Sequence, residues 1–343
     1  MTLSKRIYYS MIYISLATFV CSTNLFGQSD STFRNNGKLY GDVFLNSNYN
    51  IDKSTLSFRL NRVHLGYRYN FSPLLYFNGM FESALEDYEP MPDSLGGEYN
   101  HITNLFEFCL GFKYSYFEGK FGLIGTELNQ QQEQLWKHRL IDKVFADKYG
   151  YAPTNDFGFL ISYIPTDWIK TDVAITNGEG HKSLQADSSF RYAGGITLRL
   201  AESIVLRGYI DMVNFTNSVQ TNTIGILGFD NKQLTIACEW NQQNNHDGNK
   251  GYHRNGLSVY GNLLFAGKYQ VFARYDYVNS NKTNNLINNW NEAADGSLII
   301  AGLQYSLVKG VNLALDYRMW NPGLEGDDTR SFLFFDVELF FND

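Results

Sequence analysis

The chain has 343 residues, with 28 Lys and Arg against 35 Asp and Glu, for a formal net charge of −7. That acidic balance argues against nucleic acid as a partner. Aromatic residues make up 16% of the chain, yet mean hydropathy is only −0.29, so apolar residues must be interleaved with polar ones rather than gathered in long runs.

At the N-terminus, Lys5 and Arg6 precede an apolar run from Ile7 to Val20, followed by small residues through Ser22, Thr23 and Gly27. This is the pattern of a secretory signal peptide, too short and wrongly flanked for a spanning helix. It divides the chain into a signal peptide, 1–27, cleaved before Gln28, and a mature domain, 28–343. Beyond Gln28 no apolar run approaches the roughly 18 residues a membrane helix requires.

The mature chain instead shows a period of two, the signature of strands with one apolar face. Sixteen such stretches fall near 38–49, 56–70, 74–85, 105–117, 119–127, 155–164, 167–176, 189–200, 203–215, 222–230, 232–242, 255–265, 268–279, 296–307, 310–320 and 330–341. The second changes phase between Leu60 and Val63, which predicts a bulge. In the fourth, Phe106, Phe108, Leu110, Phe112, Tyr114 and Tyr116 share a face, with Glu107, Lys113 and Ser115 behind. The last is the cleanest: Leu333, Phe335, Val337, Leu339 and Phe341 on one face, Asp336 and Glu338 on the other. By the same alternation Cys109 and Cys238 point to opposite sides of a sheet, so no disulfide is expected between them.

Seven connections are tight: Phe71-Ser72-Pro73, Glu118-Gly119, Pro165-Thr166, Ala201-Glu202, Asp230-Asn231, Ala266-Gly267 and Val308-Lys309. The others are mostly longer and rich in Asn, Asp and Gly, and the two kinds alternate. An even-stranded barrel with short periplasmic turns and long outer loops has that alternation; a soluble sandwich has no reason for it. The expected fold is all-β: a transmembrane antiparallel up-and-down β-barrel of about 16 strands, set in outer-membrane lipid and lipopolysaccharide.

If the apolar face looks to lipid, the opposite face lines a lumen. Its candidate cations include Arg59, Lys113, Arg191, Arg199, Arg207, Arg274 and Arg318; its candidate acids include Glu107, Glu239 and Asp276. The two signs nearly balance, as they would if wall charges pair across strands; a field across a pore would need them segregated.

The third long connection, 128–154, is unlike the rest. Leu135, Trp136, Leu140, Ile141, Val144, Phe145 and Tyr149 recur at helical spacing, flanked by Lys137, Arg139, Lys143 and Lys148. Left on the surface, that stripe would be an exposed apolar patch. Folded into the barrel, it packs on the wall and turns its charges to the channel.

The run Leu135-Trp136-Lys137-His138-Arg139, then Lys143, Asp147 and Asp156-Phe157-Gly158, resembles the phosphate-selective porins of Gram-negative outer membranes. So do Arg59-Leu60-Asn61-Arg62 with Leu65-Gly66, Asn177-Gly178-Glu179-Gly180, Arg207-Gly208-Tyr209 and Arg274-Tyr275-Asp276. The resemblance implies a 16-stranded barrel, commonly a homotrimer, whose inward third loop narrows the pore. It implies diffusion of small hydrophilic solutes or anions drawn by cations of the third loop. Carried over, these are Lys137, Arg139 and Lys143, with Arg62 and Arg207 as wall candidates; Trp136 of the apolar stripe stands with the three at the constriction. Two features depart from that pattern. The stretch 86–104 carries five acids and no Lys or Arg, and Asn342-Asp343 follows the terminal Phe341.

No catalytic pattern competes: there is no Gly-x-Ser-x-Gly elbow, and the six histidines show no metal-ligand spacing, so neither an enzyme nor a metal or other cofactor is expected. The alternative from another class is a structural or adhesin barrel without transport. Its acidic loop 320–329 would bind divalent cations that bridge lipopolysaccharide.

Overall fold

The computed structural model describes residues 36–85, 101–182, 189–283, 289–324 and 326–342. The expected signal peptide and the acidic stretch 86–100 lie outside them. Sixteen strands run in order: β1 Asn36–Asn50, β2 Thr55–Asn70, β3 Leu75–Leu85, β4 His101–Tyr114, β5 Phe117–Gly125, β6 Asn155–Thr166, β7 Ile169–Thr176 and β8 Arg191–Ala201. They continue with β9 Ile204–Asn214, β10 Val219–Asp230, β11 Leu234–Asn244, β12 His253–Phe265, β13 Tyr269–Ser280, β14 Gly296–Val308, β15 Val311–Pro322 and β16 Arg330–Asn342. Each pairs antiparallel with its sequence neighbours, and β1 pairs with β16 to close the barrel.

Closure satisfies every strand edge, which is what allows a sheet to stand in hydrocarbon. Alternation then sorts the side chains. Along β9, Val205, Arg207, Tyr209, Asp211 and Val213 are buried, while Ile204, Leu206, Ile210 and Met212 are exposed. The same holds around the barrel, with Phe58 78% exposed and Val173, Leu315 and Leu333 also outside. So large an exposed apolar belt would be costly in water and costs nothing in lipid. The barrel is a transmembrane one, and no helix among the described residues is long and apolar enough to cross a membrane.

The expected bulge in β2 is present: Phe44 pairs with Arg62 and Leu45 with Leu60, leaving Asn61 between them. Cys109 is buried inside and Cys238 exposed outside, both as free thiols. Three expectations are corrected, the first being the β6–β7 turn, which is Asp167-Trp168 rather than Pro165-Thr166, since Thr166 pairs with Ile169. In β4 a second bulge falls where Met80 pairs with Glu107 and Phe81 with Leu105. Phe106 is the extra residue; it turns inward, is buried, and leaves the lipid face that Phe108 and Leu110 keep. The β4–β5 turn is Ser115-Tyr116 rather than Glu118-Gly119, since Tyr114 pairs with Phe117 and Lys113 with Glu118. Ser115 takes the left-handed conformation, φ 52°. Gly119 serves packing instead, because a Cβ there would stand 2.1 Å from the ring of Phe112.

The seven tight turns lie together on one rim, with both barrel termini, and the longer connections lie on the other. The third of these, 126–154, holds two helices, α1 Glu127–Trp136 and α2 Phe145–Lys148. Its apolar residues form one buried cluster with inward side chains of β1, β9–β16, among them Tyr260, Phe272, Ile300 and Phe334.

Candidate pore and the third connection

Helix α1 begins at Thr126, whose hydroxyl accepts from the Asn129 amide, and carries Glu127 in its first turn, where a negative charge suits the helix dipole. It ends at Lys137, which adopts φ 62° and donates its N–H to the Glu133 carbonyl. The apolar stripe read at helical spacing is thus not one helix. Leu135 and Trp136 close α1, Leu140 and Ile141 lie in a turn, and only the four residues from Phe145 are helical again. The stripe follows the surface on which it docks, not a helical period.

That surface is the inner face of β10–β13. Gln132 Nε2 donates to Glu239 Oε2 at 2.5 Å, and the Tyr260 hydroxyl donates to Glu239 Oε1 at 2.6 Å. Leu135 lies against Gly228. The Trp136 ring meets Tyr260 and Phe272 edge-on at 5.6 and 6.2 Å, and its Nε1 donates to the Asp142 carbonyl. His138 packs on Phe272 at 4.5 Å and donates Nδ1–H to the Trp136 carbonyl; its Nε2 is buried without a partner. Burial pushes the His138 pKa down to about 4, because a charged imidazole there would lose its water. Two wall arginines then grip the return segment by its backbone. Arg274 donates to the Lys143 carbonyl and Arg254 to the Gly150 carbonyl, each at 2.6 Å.

The remaining inward charges on this side pair with one another. Arg274 chelates Asp276 at 2.8 and 2.7 Å, and Tyr149 donates to the same carboxylate. Arg318 bridges Asp316 and Asp336, Arg191 meets Asp211, and Arg207 chelates Asp172. Asp276 is 0% exposed and Arg207 1%. Of the side chains expected to line a pore, Arg191, Arg207, Arg274, Arg318, Glu239 and Asp276 are therefore buried and paired with protein groups rather than facing open space, with only the Nε atoms of Arg191 and Arg207 among them left without a partner. The balance of signs seen in the sequence reflects ion pairing of this kind. Buried pairs need such geometry to offset their desolvation.

The opposite side is more open. Lys113 pairs with Glu118 and Lys120 with Glu107, in partly exposed positions near the turn rim. Arg59 faces inward opposite Asn46. Arg199 is exposed and, with Lys170, Glu127, Gln131 and Gln134, lines a cavity of 370 Å³. Midway up the wall, Arg62 lies 3.4 Å from Glu82, and His64 sits between Asp42 and Glu82 at 2.7 and 2.9 Å. The third connection reaches this cluster through Arg139, which pairs with Glu133 and lies 5.7 Å from the Phe106 ring. Arg139 is 19% exposed and Asp42 30%.

The three cations read as constriction residues therefore separate. Arg139 faces the open wall. Lys137 is held by Asp230 and Thr235 at the turn rim. Lys143 is engaged by its backbone carbonyl, with a half-buried side chain. Sequence reading did not single out His64, His181 or Phe106 for this region. The histidines lacked metal spacing, and Phe106 belonged by alternation to the lipid face.

No family model matches the chain, and no curated protein matches it. Solved structures do. The outer membrane channel DcaP of Acinetobacter baumannii aligns with a TM-score of 0.66 at 12% identity, over 91% of this chain and 99% of its own. The anion-selective porin from Comamonas acidovorans aligns at 0.62 and 12%, over 90% and 100%. The trimer form of OmpT, an outer membrane protein of Vibrio cholerae, aligns at 0.58 and 13%, over 90% and 100%. At these identities the likeness is one of fold: the chain shares the closed antiparallel barrel of these outer-membrane proteins.

Proposed function

We propose that the chain forms a water-filled channel for passive diffusion of small hydrophilic solutes or ions across the outer membrane. The path runs between the third connection and the β1–β5 wall. One observation carries this reading: the third connection fills the β9–β16 side with buried contacts and leaves the partly exposed Asp42 and Arg62 facing it across the lumen. A barrel meant only as an anchor gains nothing from keeping a lane bordered by charge open beside the third connection. Arg139 and Arg62 border that lane, and low-dielectric walls focus their field, so the preference is weakly for anions. The barrel is shared with an outer membrane channel and an anion-selective porin, which supports the same reading. The trimer form among them supports a homotrimer.

A second reading is a structural barrel without transport. The contact of Arg139 with Phe106 favours it, because it joins the third connection to the far wall. Single-channel recording on the purified protein separates the two. Stepwise conductance with a reversal potential on the anion side in a salt gradient is expected of the channel; a silent bilayer carrying correctly folded protein means an anchor.

A further inference from the structure

His181 belongs to the connection after β7, not to the third one, yet its Nε2 lies 3.7 Å from Glu82 Oε1 and has no hydrogen-bond partner. Glu82 Oε2 is already taken by His64 Nε2 at 2.9 Å and approached by Arg62 at 3.4 Å. The bulge residue Phe106 separates the two imidazoles, its ring 5.1 Å from His64 and 5.2 Å from His181. On its other side stands Arg139 of the third connection. Two histidines from different elements thus share one carboxylate at the edge of the lane that solutes are proposed to follow.

We propose that His181 is a selectivity-determining residue of the channel, which, together with His64 on Glu82, sets the charge of the narrow region. This rests on the channel reading. Imidazole is the side chain whose charge changes between about pH 5 and 8. Each proton taken up adds a positive charge beside Arg139 and Arg62. The groups facing the cluster are Asp42 on β1, Arg62 and His64 on β2, Glu82 on β3, and Arg139, Glu133 and Asp147 on the third connection. Glu179 and Lys182 flank His181 on its own loop. His64 has a carboxylate at each ring nitrogen, whereas His181 reaches the cluster by one nitrogen from a loop, so His181 is the member whose substitution leaves the wall intact.

Purified full-length protein in planar bilayers under a potassium chloride gradient tests this, with reversal potentials taken near pH 5 and pH 8. In the wild type the anion-to-cation permeability ratio is expected to rise by about twofold or more on acidification. His181→Gln should lose at least half of that rise, and His181→Lys should show the acid-form preference at both pH values. A full pH response in His181→Gln overturns the proposal while leaving the channel reading standing. Absence of any conductance in the wild type overturns both.

Discussion

Gly256 leaves the space that Phe145 fills: a Cβ built on the glycine would stand 2.4 Å from the tip of the phenylalanine ring. The wall and the third connection are therefore fitted to one another at a point where neither can change alone. Gly256→Ala should displace Phe145 at a cost of about 1–3 kcal/mol, the range for overpacking. The barrel strands should still assemble, and the loosened connection should show as flickering or enlarged conductance. Gly256→Ala combined with Phe145→Ala should restore quiet conductance; if the pair is no better than the single change, the two residues are not coupled as described.

Trp136 supplies the largest buried ring of the third connection and a hydrogen bond to Asp142. Trp136→Ala should weaken docking by about 3–5 kcal/mol, as truncation of a buried aromatic does. The measurable outcome is a raised solute size limit in a liposome-swelling assay, with the folded barrel still resistant to mild detergent. An unchanged limit would mean that the third connection does not define the path.

Selectivity should depend on Arg139 more than on Lys137 or Lys143. Lys137 is compensated by Asp230 at the turn rim, where a charge is screened within about 8–10 Å at moderate salt. Arg139 borders the narrow lane, where screening is weaker. Arg139→Gln should abolish anion preference, whereas Lys137→Gln should leave reversal potentials nearly unchanged. Equal effects from the two substitutions would place the constriction elsewhere.

His138 predicts how docking responds to acid. Its pKa falls from 6.5 to about 4 on burial. Above about pH 6.5 the imidazole is neutral whether the connection is docked or free, so docking is at full strength. As pH falls toward 4 the free form takes up a proton that the docked form refuses, and docking weakens by up to about 3 kcal/mol. Subconductance states should become more frequent over that interval in the wild type and stay constant in His138→Asn. Because this readout is stability of the docked state rather than ion preference, it is separable from any effect of His181.

The sorted rims predict an orientation, with longer connections expected outside the cell and tight turns in the periplasm. In a Cys109→Ser, Cys238→Ser background, a cysteine at Asn249 should react with an impermeant reagent on intact cells and one at Ser72 should not. The reverse pattern would invert the barrel.

Strand number, closure and the sidedness of the connections were legible because alternation survives in every strand and needs no knowledge of neighbours. The β4 bulge was not. Leu105 and Phe106 are both apolar, so a slip of one residue between them leaves no trace in the pattern, and Phe106 reads as lipid-facing although it lies inside. Helix α1 was missed for a different reason. Its body from Asn129 to Gln134 is almost all amide side chains with no apolar period, and its place is fixed by a cap at Thr126 and by Glu239 on β11. The interior charges could be assigned to a face but not to a fate. Whether Arg274 meets water or a carbonyl depends on where residue 143 passes, and no spacing within β13 encodes that.

The pairing of Tyr40 with Asn342 joins the first strand of the barrel to its last. No enclosed interior exists until the last strand has arrived, and contacts so distant in sequence are the slowest to form. The third connection grips β10–β13, all of which precede that event. It can be laid against its half of the wall while the sheet is still an open trough, and sealed in when the edges meet. A version of the chain lacking β16 would then be expected to hold α1 against Glu239 on a sheet that never encloses water.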